Sequence, residues 1–200
     1  MKTIVSLLLI TLMTGCVRIG FERPVGTPVG QEELKKYEGE WLNSEGSPGS
    51  IALGDAPSQV KVTERKESGD EVSVYNVTEI DGVLYAWTKP DDLDAYLPGR
   101  VISSDPGYVV VLIPDEKEVK ALVAAGKAKG RYLKDKDAWI LSPEGMEEVL
   151  SGKEFWTLET ALSLIRKPSA TAETQTAPES AAKAEEASKP QGNQETTTLR

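Results

Sequence analysis

Three β-rich segments joined by short turns restrict the fold of this chain more than any other feature. Residues 59–65 alternate apolar and polar side chains, and residues 72–80 and 83–87 are rich in β-branched and aromatic residues. The pair Asp81-Gly82 separates the last two segments, and such a pair favours a tight hairpin turn. A two-residue turn joins antiparallel strands. The sequence therefore predicts an antiparallel sheet at the centre of the fold.

Two short helices are expected after these strands. The first follows Pro114, carries acidic residues in its first turn, and ends before Gly126. The second begins with an N-cap pattern at Ser142 and ends before Gly152. Residues 155–165 fit either a helix or a closing strand. The predicted fold class is α+β: a single small domain, mostly antiparallel β-sheet with two short helices, followed by a disordered C-terminal tail.

The composition divides the chain into four segments. Residues 1–15 are expected to form a signal peptide, residues 16–30 a tether rich in glycine and proline, and residues 31–167 the folded domain. Residues 168–200 consist almost entirely of small, polar and charged residues. Such a segment cannot bury enough apolar surface to offset the entropy of ordering, so the sequence predicts a disordered tail.

The first sixteen residues have the pattern of an export signal that ends in a cysteine. Lys2 is followed by a mainly apolar run at residues 4–13, which is too short to cross a bilayer about 30 Å thick. The run ends in Met13-Thr14-Gly15-Cys16, which resembles the lipobox of bacterial lipoproteins. The alternative is an ordinary signal peptide with an incidental cysteine.

The lipobox resemblance implies a lipid anchor. Cys16 would become the mature N-terminus and carry a diacylglyceryl group and an N-acyl chain, and several such chains give nearly permanent attachment. Val17 resembles the residue that follows the cysteine in lipoproteins of the outer membrane. The resemblance therefore predicts a lipid-anchored protein of the bacterial cell envelope, at the periplasmic face of the outer membrane or at the surface.

Composition argues against several classes of activity. The net charge of −9 makes the chain a poor nucleic-acid ligand, because phosphate contacts need clustered lysine and arginine. The sequence has no histidine and one cysteine, so the usual nucleophile–histidine pairs cannot form. Asp91, Asp92 and Asp94 form the densest acidic cluster but lack the pattern of a calcium loop. We expect no catalytic residue, no metal site and no cofactor.

Residues 34–41 resemble the start of lipocalins, in which a short turn with leucine and tyrosine leads into Gly-x-Trp on the first barrel strand. Residues 31–37 suit such a helical turn, and Gly39-Glu40-Trp41 supplies the motif. In lipocalins a late arginine stacks on that tryptophan, a role that the resemblance would give to Arg166. The two predicted helices, however, interrupt the strand series and are expected to prevent an up-and-down barrel.

Two functions are consistent with these features. The first is a membrane-anchored, non-catalytic binding or scaffolding module whose partner is another envelope protein or the cell wall. The alternative is a lipocalin-like carrier of a small apolar ligand, which requires a closed barrel with an apolar cavity. Cys16 is the one residue to which the sequence assigns a specific chemical event.

Overall fold

A computed structural model of the chain describes residues 17–105 and 107–167. The predicted signal peptide, Cys16 and the predicted tail lie outside the described residues. No helix within the described part is long and apolar enough to cross a lipid bilayer. The strands are β1 (Arg18–Phe21), β2 (Thr27–Pro28), β3 (Gly39–Asn43), β4 (Pro48–Leu53), β5 (Gln59–Lys66), β6 (Gly69–Ile80), β7 (Val83–Thr88), β8 (Leu97–Asp105), β9 (Tyr108–Pro114), β10 (Gly130–Leu133), β11 (Ala138–Leu141) and β12 (Trp156–Arg166). The helices are α1 (Gln31–Leu34), which continues into a 3₁₀ turn at Lys35–Tyr37, α2 (Glu116–Ala124) and α3 (Glu147–Ser151).

The predicted antiparallel sheet is confirmed, and it closes into an eight-stranded barrel. Strands β3 to β9 pair in sequence order, and β12 pairs with both β9 and β3. The pairing of β6 with β7 completes the ring. Asp81 and Gly82 both have positive φ, at 51° and 77°, as the predicted hairpin between β6 and β7 requires.

The barrel has two ends that differ in their connections. The loops at residues 44–47, 67–68 and 89–96 and the insertion at 115–155 lie at one end, here the upper end. The loop at residues 54–58 and the β6–β7 hairpin lie at the opposite, lower end, because successive strands of an up-and-down barrel alternate in direction.

The two predicted helices do not interrupt the barrel, which corrects that expectation. Both α2 and α3 belong to one insertion between β9 and β12, together with β10 and β11. The insertion packs on the outer wall of the barrel, where the Tyr85 hydroxyl and the Trp156 indole N–H both donate to the Leu150 carbonyl. Helix α3 begins at Glu147 rather than Ser142, because Gly145 adopts φ +73° and breaks the helical path.

The expected tether is partly built into the domain. Residues 16–30 include β1, which pairs in parallel with β11, and β2, which pairs with β6. Ile19, Phe21, Val25 and Val29 are all buried. Glycine and proline in this segment end strands and make turns, and the apolar residues between them pack on the barrel. Within the described residues, the fold therefore begins at residue 18.

Two of the apolar clusters lie on opposite faces of the barrel wall. One lies inside the barrel around Trp41, and the other packs β1 and the insertion against the outward-facing side chains of β7, including Tyr85 and Trp87. The ambiguous residues 155–165 contain most of strand β12, whose side chains contribute to both faces.

Candidate functional site

The inner wall of the barrel is lined by apolar side chains that are incompletely buried. Two residues that pair directly on neighbouring antiparallel strands lie on the same face of the sheet. Trp41, Val77 and Val111 face the barrel interior, so the residues that pair with them on the neighbouring strands face it too. The inward-facing residues that remain partly accessible are Leu53, Val62, Tyr75, Leu84, Val101, Val111 and Leu164. Leu162, which pairs with Val111 on the same face, is 43% exposed. These inward-facing apolar side chains are therefore partly accessible to solvent.

The lower end of the barrel is closed by the segment that precedes β3. Leu34 and Tyr37 pack with Trp41, which is 2% exposed and donates its indole N–H to the Tyr37 carbonyl at 2.8 Å. The Arg166 guanidinium lies 4.9 Å from the centre of the Trp41 ring and donates to the Glu38 carbonyl at 3.1 Å and to the Lys36 carbonyl. This cation–π contact ties the last barrel strand to the first.

Polar groups are concentrated where the β5–β6 hairpin forms part of the upper end. Glu64 pairs directly with Glu71 on the inward face, and a pair of like charges at that spacing is unfavourable. The Lys66 ammonium contacts both carboxylates, at 3.6 Å from Glu64, and its pKa is raised chiefly by the hydrogen bond to Glu71. Tyr75 lies on the same face, further into the barrel.

Tyr75 is an inward-facing group whose pKa is shifted by its surroundings. Burial raises the pKa of its hydroxyl, and the nearby negative charge of Glu64 raises it further. The phenolate is disfavoured for both reasons, so Tyr75 remains a neutral hydrogen-bonding group inside an apolar wall.

Tyr75 is expected to make stability fall at alkaline pH. Because its pKa is raised in the folded state, the unfolded chain loses this proton first, and the free energy of unfolding decreases as pH rises above about 10. Tyr75→Phe should make this decrease shallower in urea titrations at several pH values. The outward-facing control Val74→Ala should leave the slope unchanged, and an unchanged slope in Tyr75→Phe would contradict the assignment.

A separate surface groove of about 540 Å³ lies outside the barrel. It runs between residues 23–26 and the start of α3, and three glutamates, Glu144, Glu147 and Glu148, contribute to its lining. Arg23 pairs with Glu144 across it at 3.4 Å. This open, charged groove does not suit an apolar ligand, so the barrel interior remains the better candidate site.

Three of the residues singled out by sequence, Trp87, Asp92 and Asp94, take part in packing or in ion pairs. Trp87 is fully buried between the barrel wall and Phe21, and its indole N–H donates to Thr78. Asp92 and Asp94 form exposed ion pairs with Arg18 and Lys89. Among the residues that the structure describes, no cluster of three acidic, histidine or cysteine side chains could hold a metal ion.

Accessible apolar side chains form a row on the outer face of β3, β12, β9 and β8. Leu42 pairs with Ile165, and Ile165 pairs with Tyr108. These residues and Ile102 point outward, and Ile165, Tyr108 and Ile102 are 50%, 40% and 44% exposed. Apolar side chains are accessible on this row, as they also are at Val72, Val74, Tyr132 and Leu158 elsewhere on the described surface.

No sequence pattern marked Leu162, Tyr75 or the Lys66 cluster as part of a site. Alternation in residues 59–65 and 72–80 was visible, but it could not show which side faces the barrel interior. The resemblance to lipocalins did point to Trp41 and Arg166, and the structure brings those two residues together.

The closed antiparallel barrel, its short N-terminal helical turn and its Trp41–Arg166 contact resemble the architecture of lipocalin-like carriers. No protein-family model matches the chain, and no curated protein or solved structure matches it either. The function is therefore argued from the residues of the barrel itself.

Proposed function

We propose that this chain is a lipid-anchored envelope protein whose barrel binds a small, mainly apolar ligand without changing it chemically. The proposal rests on one observation: the apolar side chains of the inner wall, above all Leu162, are partly accessible. An eight-stranded barrel can either be filled by its own side chains or hold one small ligand. Accessible valine and leucine side chains inside the ring favour the second arrangement.

The distribution of polar groups supports binding rather than catalysis. The charged side chains nearest the upper end pair with one another, because Lys66 contacts both Glu64 and Glu71. Tyr75 is held neutral in an apolar setting and can donate one hydrogen bond to a ligand. These groups can orient the polar end of a ligand whose remainder lies against valine and leucine.

The proposal is tested by two substitutions on one strand. Leu162→Glu places a carboxylate on the inner wall, whereas Ile165→Glu places the same group on the outer surface, and the two parent side chains are similarly exposed, at 43% and 50%. Burying an unpaired charge beside an apolar ligand is costly. We expect Leu162→Glu to weaken the binding of a neutral naphthylamine fluorophore at least tenfold and Ile165→Glu to leave it within twofold.

The measurement is a fluorescence titration of the secreted chain, with circular dichroism confirming that both variants fold. A fluorophore that does not bind the parent chain, or that binds both variants equally, would contradict a ligand site inside the barrel.

Scaffolding through the outer wall is the second candidate function. The observation in its favour is the exposed row of Leu42, Ile165 and Tyr108, which offers contiguous apolar area to a partner protein. Ile165→Glu also separates the two functions. Loss of crosslinked envelope partners with unchanged fluorophore binding would assign this row, rather than the interior, to the principal function.

A further inference from the structure

The lipid-bearing residue of the proposed anchor lies immediately before the folded domain. Only Val17 separates Cys16 from Arg18, where β1 begins. Two peptide units place the Cα atoms of Cys16 and Arg18 at most about 7.6 Å apart. One head-group layer of a bilayer is about 5–8 Å thick, so this spacing leaves almost no free chain between lipid and protein.

Arg18 is fixed to the upper end of the barrel. Its guanidinium contacts Asp92 at 2.9 Å, in the loop that joins β7 to β8, and donates to the Lys136 carbonyl at 2.9 Å. Its backbone N–H donates to the Asp137 carbonyl, also at 2.9 Å. Three contacts therefore hold the start of β1 against the 89–96 loop and against the turn between β10 and β11.

Two of the three carboxylates in the 89–96 loop are paired with cations, although the whole chain is acidic. Asp92 pairs with Arg18, and Asp94 pairs with Lys89 at 2.7 Å. The hydrogen bonds from these cations lower the pKa of both carboxyl groups. Paired carboxylates are repelled less by anionic lipid head groups than free ones, so this end can approach a membrane surface.

We propose that the upper end of the barrel lies directly on the lipid head groups of the membrane that holds Cys16. This inference rests on the lipid anchor in the proposed function. The surface in contact with lipid is formed by Val17, Arg18, the 89–96 loop and the β10–β11 turn. The upper end of the barrel faces the bilayer, so an apolar ligand can pass between membrane and barrel without crossing bulk water.

The orientation is tested with two matched single-cysteine variants of the full, acylated chain. Asp94→Cys lies in the 89–96 loop, and Asp55→Cys lies in the 54–58 loop at the lower end. Both substitutions remove a highly exposed carboxylate, 96% and 87% accessible, from an ion pair with a lysine. Each introduced thiol is labelled with an environment-sensitive fluorophore. The label does not react at Cys16, because the sulfur of that residue carries the lipid. The protein is then reconstituted into phosphatidylethanolamine–phosphatidylglycerol vesicles with nitroxide-labelled head groups.

We expect at least twofold stronger nitroxide quenching at position 94 than at position 55. Inserting twenty glycine and serine residues between Val17 and Arg18 adds a linker with a root-mean-square length of about 25 Å and should abolish the difference. Equal quenching, or stronger quenching at position 55, in an acylated chain that floats with vesicles would overturn the orientation alone. A chain whose intact mass shows no acyl group on Cys16 would overturn both the anchor and the orientation.

Discussion

Replacing Cys16 with serine is expected to transfer the protein from the membrane fraction to the soluble fraction of the cell envelope. A serine hydroxyl cannot form the thioether that joins a lipoprotein to its diacylglyceryl group. Each buried CH₂ of an acyl chain contributes about 0.8 kcal/mol, so losing several chains removes attachment almost completely. The net charge of −9 offers no electrostatic substitute at an anionic surface. Flotation of envelope fractions and intact mass spectrometry measure both effects.

The matched control for this prediction is Gly15→Ala. It keeps a small residue before Cys16, as the lipobox resemblance requires, and it should leave both the acyl mass and the flotation unchanged. Persistent membrane attachment of Cys16→Ser without an acyl mass would show that the protein is held by another means.

Trp41→Ala is expected to cause a large loss of stability, about 3–5 kcal/mol in the free energy of unfolding. The indole is 2% exposed, donates to the Tyr37 carbonyl and lies under the Arg166 guanidinium. Its removal leaves a cavity at the closed end of the barrel and an unpaired carbonyl, and it removes the cation–π contact between the first and last barrel strands. Urea denaturation of the soluble Cys16→Ser chain, followed by circular dichroism, gives the free energy.

Trp139→Ala provides a control of the same chemistry. Trp139 is partly accessible, and its indole N–H has no acceptor among the described residues. Its principal aromatic contact is Tyr132, with ring centres 5.4 Å apart. We expect a loss of about 1 kcal/mol. Similar losses in the two variants would show that the barrel does not depend on the Trp41–Arg166 contact.

Local patterns predicted the strands but not the barrel. Strands β5, β6 and β7 follow from alternation and from the Asp81-Gly82 turn, which act over a few residues. Closure depends on the pairing of β12 with β3, which are far apart in sequence, and no local signal specifies that partner. The same limitation explains why residues 16–30 were expected to form a tether. Ile19 and Phe21 are buried only when β11 is present to pair with β1.

The candidate site was predictable only where a motif marked it. Trp41 and Arg166 were reached through the resemblance at residues 34–41. No motif includes Leu162 or Tyr75. Both residues matter because they face the barrel interior, and a shift of one residue in strand register would turn each of them outward. Residues 155–165 are the clearest example, because the sequence did not decide between a helix and a strand for this segment.

The parallel pairing of β1 with β11 has a consequence for the order of events during export. Arg18 binds the carbonyl of Lys136, which lies 118 residues further along the chain. Until β11 has been exported, residues 18–21 have no strand with which to pair, so this segment stays unpaired early in export. On the proposed anchor, we expect Cys16 to be acylated in this interval. Once β1 pairs with β11, the backbone of Arg18–Phe21 is held in a sheet and is harder for a protease to reach than a free chain.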